Sequence, residues 1–171
     1  MGRFISKPEW LNIVREQERR LQFAFFSRED ALDIGRRILR LNQEKYHGSL
    51  SISVTEDDIV IFSYMMPGTT TVNVTWMFRK RNVSRAIGTS SLLAYLEIDQ
   101  GLREETWNGR EDAYVACGGC FPVLMSNGST YAYITVSGLE HYEDHQIIAD
   151  AIAEHLNVSI DSIRLYTNKA L

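Results

Sequence analysis

Between Ala31 and Leu41 the apolar residues recur at +3, +4 and +3 (Ala31, Ile34, Ile38, Leu41), the spacing of one helix face. Ser27-Arg-Glu-Asp30 precedes them and predicts the start of that helix. Ser6-Lys-Pro-Glu9 is a capping box with proline near the helix start, so an earlier helix is expected to about Leu21. At Leu50 the period changes to two. Leu50, Ile52 and Val54 alternate with serines, Glu56-Asp57-Asp58 makes a turn, and Ile59–Tyr64 returns as the second strand of a hairpin. Pro67-Gly68 ends it, and a helix from Thr71 to about Ile87 follows. Gly88-Thr89 breaks that helix, and Ser90 or Ser91 caps another through Leu92, Leu93 and Leu96.

The segment from Gly101 to Gly109 is polar and reads as loop. Two or three strands are expected after it, at about Ala113–Cys117, Cys120–Met125 and Thr130–Val136. Asn127-Gly128 joins the last pair as a tight turn. Pro122 cannot donate to a ladder, so its strand belongs at an edge or carries a bulge there. A final long helix, Tyr142 to Leu156, presents Ile147, Ile148, Ala151, Ile152 and Leu156. The short final segment Ile163–Tyr166 is ambiguous. Antiparallel strands with helical pairs between them give an α+β domain with helices covering the sheet. At 171 residues, one domain spanning 1–171 is the simplest organisation.

Composition narrows the function classes. A net charge of -4 argues against bulk nucleic-acid binding, which needs a positive field. The longest apolar runs, Leu21–Phe26 and Ile59–Met66, are far short of the ~20 residues that span a bilayer. The N-terminus has no secretory pattern, and two cysteines three positions apart make no secreted disulfide framework. A cytoplasmic protein is expected.

The chemistry-bearing residues concentrate between Val115 and His145. Cys117-Gly-Gly-Cys120 has the spacing of a zinc or dithiol pair, but no second such pair exists and a strand rather than a helix follows it. His141 and His145, four apart, share a helix face and are candidate metal or iron contacts with Cys117, although no complete ligand set is present. His-Tyr-Glu-Asp-His departs from the inverted zinc-protease motif by an aspartate, and the acidic residues around it suit a helix N-terminus instead. Arg79-Lys-Arg-Asn82 and Arg85 put cations on one helix; beside Ser90-Ser91 they form either an anion pocket or a solvated or subunit-pairing face. Neither a phosphate loop nor a nucleophile elbow is present.

Five motifs in order carry a resemblance: Arg79-Lys80-Arg81-Asn82, Ser90-Ser91, Gly118-Gly119-x-Phe121-Pro122, Thr135-Val136-Ser137-Gly138-Leu139 and Glu143-Asp144-His145. Together they resemble a bacterial and fungal family labelled haem-degrading-domain proteins, a branch of the GlcG/HbpS-like superfamily, over nearly the whole chain. The resemblance implies a profilin-like α/β/α sandwich with a five-stranded antiparallel sheet, and homodimers or larger homo-oligomers. It also implies haem or a related tetrapyrrole as a candidate ligand, without a defined catalytic set. In the family pattern the residue before the glycine pair is usually histidine; here it is Cys117. The resulting expectation is an oligomer binding a small anionic ligand through Arg79, Arg81, Asn82, Ser90, Ser91, Gly118, Gly119 and His145 in one pocket. The alternative is a non-enzymatic assembly or accessory protein, linked for example to diol, glycerol or glycolate utilisation, in which the same motifs are structural.

Overall fold

The computed structural model describes residues 6–165. Its elements follow the sequence pattern closely: α1 (Lys7–Arg20), α2 (Arg28–Leu41), β1 (Ser51–Glu56), β2 (Ile59–Met65), α3 (Thr71–Ile87), α4 (Ser91–Asp99), β3 (Cys120–Leu124), β4 (Thr130–Ser137) and α5 (His141–Leu156). A π-helical turn, Asn42–Tyr46, extends α2, and a 3-10 turn, Asp161–Ile163, follows α5. The capping chemistry sets the starts. Ser6 with Glu9, and Ser27 with Asp30, form reciprocal capping boxes that satisfy otherwise unpaired N–H groups. Gly88, at φ +81°, closes α3 in the left-handed conformation that glycine adopts without steric cost.

The sheet is antiparallel, in the order β2-β1-β4-β3. Alternation along its strands sorts the side chains. Leu50, Ile52, Val54, Phe121, Val123, Ala132, Ile134 and Val136 join α2 and α5 in the main core. The opposite face is rich in hydroxyls, with Ser51, Thr55, Thr135 and Ser137 all buried. It lies against α3, which packs on β4, β3 and β1. Helices on both faces make the α/β/α sandwich. The helix α5 is its centre: every residue from Asp144 to Ala153 is buried, between the sheet and α2 and beside α4.

Two expectations change. Ala113–Cys117 is irregular rather than a strand. This segment runs along α3 instead, where the Asn82 side chain donates to the Ala113 carbonyl at 2.8 Å. Among the described residues the sheet has four strands rather than five. The remaining edge position beside β3 is filled by a single residue: the Phe23 N–H donates to the Leu124 carbonyl, and the Ser126 N–H donates to the Phe23 carbonyl, each at 2.8 Å in a parallel bridge. Pro122 sits on β3 beside an irregularity in the ladder, so the edge and the bulge both apply. Of the ambiguous Ile163–Tyr166 segment, Ile163 ends the 3-10 turn and Tyr166 lies outside the described residues.

Phe23 therefore does two jobs, closing a sheet edge and filling the core, where its ring meets Phe26 edge-on with centroids 5.2 Å apart. Phe23→Ala is expected to cost about 3–5 kcal/mol in urea unfolding. A loss below about 1 kcal/mol would mean that this edge residue does not help to hold the sheet.

Candidate functional site

Lys80 lies on the inward face of α3, with Met77 and Ser84 three and four positions away, and it is buried. Its Nζ donates to Asp144 Oδ2 at 2.8 Å and to the Val136 carbonyl at 3.2 Å. Asp144 stands in the first turn of α5, and its Oδ1 accepts the Leu139 N–H at 3.0 Å. One ion pair thus joins α3, the end of β4, the turn after it and the start of α5. Burial pushes the Asp144 carboxyl up to about 6, against the pull of Lys80 and the backbone amides. The sequence reading does not single out Lys80. The signal for it is the +3 and +4 spacing from Met77 and to Ser84, which places a cation on the covered face.

The glycine pair makes this arrangement sterically possible. A Cβ on Gly118 would lie 2.1 Å from the His141 carbonyl oxygen. On Gly119, at φ +125°, it would lie 2.6 Å from both Lys80 Nζ and the Val136 oxygen. The space spared by the missing side chains is occupied by the protein's own α5 and Lys80, not left open to a ligand. The Gly118 N–H donates to His141 Nδ1 at 3.1 Å, so the neutral ring carries its proton on Nε2. Burial lowers the His141 pKa, and Lys80 adds to the effect.

The other nominated residues divide. Ser91 is buried behind the glycines, where its Oγ accepts the Cys120 N–H at 3.0 Å. Ser90 caps α4 through the Leu93 N–H, and its own N–H donates to Glu18. Asn82 is engaged with the Ala113 carbonyl. His145 is fully enclosed: its Nε2 meets Gln17 Oε1 at 2.8 Å, while its buried Nδ1 has no hydrogen-bond partner among the described residues. Burial lowers its pKa to about 3, with His141 adding to the shift. Gln17 in turn donates to Gln146 and to the Ile163 carbonyl, and Gln146 donates to Asp150, which Arg164 grips with two bonds. This internal chain of amides has no signature in sequence spacing.

Arg79 and Arg81 are two residues apart, about 200° around a helix, so they flank α3 on opposite sides. Arg79 stacks over Trp76 at 5.0 Å and Arg81 over Phe78 at 5.9 Å. Among the described residues each Nε is buried without an acceptor and neither guanidinium forms an ion pair. Cys117 is half-buried and near enough to Lys80, Asp144 and Arg79 to feel their charges. Burial raises its thiol pKa, which Lys80 and Arg79 partly oppose. Cys120 is fully buried beneath them. Gly118, Gly119, Ser91 and His145 therefore gather around the start of α5, with Arg79 and Cys117 at the rim. Asn82 and Ser90 are engaged elsewhere, and Arg81 lies on the other flank of α3, close enough for its charge to act on Cys120. No three histidine, cysteine or carboxylate groups among the described residues converge on a metal position.

The profile of the haem degrading protein HbpS-like family matches residues 26–153, which contain this whole cluster. The chain belongs to that family. UPF0303 proteins from Yersinia pseudotuberculosis and Yersinia enterocolitica are 34% and 32% identical to it, over 95% and 94% of this chain and 96% of their own. The fold recurs in the Ybr137w protein, at a TM-score of 0.74 and 20% identity, covering 88% of this chain and 92% of that one. It recurs also in a PduOC–haem complex, at a TM-score of 0.65 and 19% identity, covering 79% and 97%. No helix among the described residues is long and apolar enough to cross a membrane.

In this HbpS-like chain the glycine pair is a docking seat for α5. Gly119→Ala is expected to cost about 2–4 kcal/mol in urea unfolding, from a disfavoured φ and overlap with Lys80 and Val136. Gly88→Ala, with positive φ but open space around it, should cost only about 1 kcal/mol. Equal costs would rule out the close approach as the reason for glycine at 119.

His145 gives a pH signature. Its folded pKa lies below the ordinary 6.5, so the unfolded chain takes up a proton first as pH falls. The stability due to its neutral form is present above about pH 6.5 and is lost as pH drops toward 3. Asp144 and Glu18, both raised to about 6, act with the opposite sign between about pH 4 and 6. The test is therefore the difference between wild type and His145→Gln, measured by urea unfolding at each pH. Wild type should lose about 2–3 kcal/mol more than the variant between pH 7 and 4.5. Parallel curves would contradict a buried neutral histidine.

Proposed function

We propose that this protein is a cytoplasmic homo-oligomer that binds a small anionic ligand, with haem or a related tetrapyrrole as the first candidate. The observation carrying this reading is the rim beside the glycine pair. There the Arg79 guanidinium, stacked on Trp76 and without an ion-pair partner among the described residues, neighbours the half-buried Cys117. A guanidinium with a spare donor suits a carboxylate. Family membership and a structural neighbour solved as a haem complex support a tetrapyrrole over other carboxylates.

Of the residues at the rim, one would be free to hold the iron. Coordination through Nε2 of His141 would require the proton that the Gly118 hydrogen bond keeps there to leave. His145 is enclosed and already bonded to Gln17. That leaves Cys117, at the position where the family pattern has histidine, as the thiolate donor, and Arg79 as the partner of a propionate. When bound, the iron would supply redox and oxygen chemistry tuned by that sulfur. The chain's own part would be to hold the group through Cys117 and to neutralise its carboxylate with Arg79, which Trp76 orients by stacking.

Titration of purified protein with hemin, followed at the Soret band, tests this. A saturable shift is expected. Cys117→Ala should move or abolish the shifted band, and Arg79→Ala should weaken binding about tenfold without moving it. No saturable shift, or identical titrations for both variants, removes the tetrapyrrole. A chain that stays oligomeric under those outcomes is the accessory assembly protein instead, a reading favoured by the glycines, Ser90 and Ser91 all serving internal packing.

A further inference from the structure

The helix α1 is attached to the rest of the molecule differently from the others. It packs chiefly on α4 and on the 3-10 turn after α5. Its buried apolar residues, Leu11 and Val14, join Leu92, Leu93, Leu96 and Leu165 in a cluster separate from the main core. Half of its fourteen residues are charged, and Leu11, Val14 and Gln17 alone are buried. Its ion pairs with α4, Lys7–Asp99 at 2.7 Å and Arg15–Glu97 at 3.2 Å, have half-exposed cations and so contribute little. The helix also lies wholly before residue 26, where the match to the family profile begins.

The deepest attachments of α1 are polar. The Gln17 amide donates both its hydrogens, to Gln146 Oε1 at 3.0 Å and to the Ile163 carbonyl at 2.8 Å. Its Oε1 therefore accepts from His145 Nε2, which fixes the proton of the neutral ring on that nitrogen. The next residue, Glu18, accepts the Ser90 N–H at 2.8 Å, at the cap of α4. No cation pairs with Glu18 among the described residues, and burial pushes its carboxyl up to about 6. Two adjacent side chains of α1 thus fill an imidazole N–H and a helix-end N–H, donors that otherwise suit a carboxylate. Past α1 the chain is pinned at once. Leu21 is buried in the main core, and Phe23 is bonded to Leu124 and Ser126. The hinge that leaves the sheet intact is therefore the end of α1 at Leu21, whose φ of -93° and ψ of 59° are not helical.

We propose that α1 is an autoinhibitory latch, which undocks as a unit about Leu21 while the sheet and α5 stay folded, and which when closed withholds His145 and Ser90 from ligands. Water can replace each hydrogen bond that α1 gives up, and the apolar surface uncovered is confined to the small cluster on α4, the conditions for a local opening. An uncovered His145 presents a neutral ring with its Nε2–H ready for an anion. The proposal goes beyond the functional reading: the Arg79–Cys117 rim lies outside the latch, and neither depends on the other.

Native-state hydrogen exchange, and carbethoxylation of histidines by diethyl pyrocarbonate, test the latch on the full chain, both read by peptide mass spectrometry. Exposed His47 gives the reagent's unhindered rate. In wild type the α1 amides and the His145 ring should react through an opening at least about tenfold more frequent than the one that frees β4 amides. Ile134→Val weakens the main core alone, so it should speed β4 exchange about threefold or more. It should leave α1 exchange and His145 modification unchanged. Leu11→Ala, nearly two turns from Gln17 along α1, should speed α1 exchange and His145 modification by one common factor of at least about tenfold. If α1 and His145 speed up with β4 in Ile134→Val, they open only with the whole fold and the latch is overturned. A His145 rate that stays fixed while Leu11→Ala speeds α1 exchange overturns the cover over that ring. Should Leu11→Ala fail to fold, wild type and Ile134→Val decide the question alone.

Discussion

A lysine and an aspartate buried in contact, Lys80 and Asp144, set the geometry on which the rest of this molecule depends. Removing two charges from water is costly, and it is tolerated only where each finds further hydrogen bonds. Here Lys80 also donates to Val136, and Asp144 also accepts from Leu139. These bonds fix how far α5 penetrates between the sheet and α4. They also require the chain passing between α3 and α5 to have no side chains, which is why Gly118 and Gly119 stand there. The candidate rim, with Arg79 and Cys117, lies directly over this pair. Its form follows from a structural constraint and not from an open cradle.

Much of the fold is legible in the sequence because its signals are local. Ser6, Ser27 and Gly88 mark helix ends through hydrogen bonds within a few residues. The period of two from Leu50 to Tyr64, and the Asn127-Gly128 turn, give both hairpins. What is not legible depends on long-range packing. Ala113–Cys117 has strand composition, but the one free edge of β3 is already taken by Phe23, about a hundred residues earlier, and the segment settles against α3 instead.

The site divides in the same way. The motifs locate the right neighbourhood, since Gly118, Gly119, Ser91 and His145 do meet around the start of α5. Their roles are a matter of three dimensions. Nothing in the spacing of His145 says that Gln17, from the first helix, will hold its ring, and nothing in Arg79-Lys80-Arg81 says which cation turns inward. The helical period settles that once the covered face of α3 is known. The neighbours Arg79 and Arg81 are then sent to opposite flanks of the helix, with Arg79 at the rim.

The claim that one buried ion pair organises the site is tested most directly by a double-mutant cycle of Lys80→Met and Asp144→Leu in urea unfolding. Each single change strands a buried charge and should cost about 3–5 kcal/mol. The double variant should cost at least about 2 kcal/mol less than the two single costs combined, because neither charge then remains. Additive costs would contradict the account, and Lys80 and Asp144 would be independent residues that happen to touch.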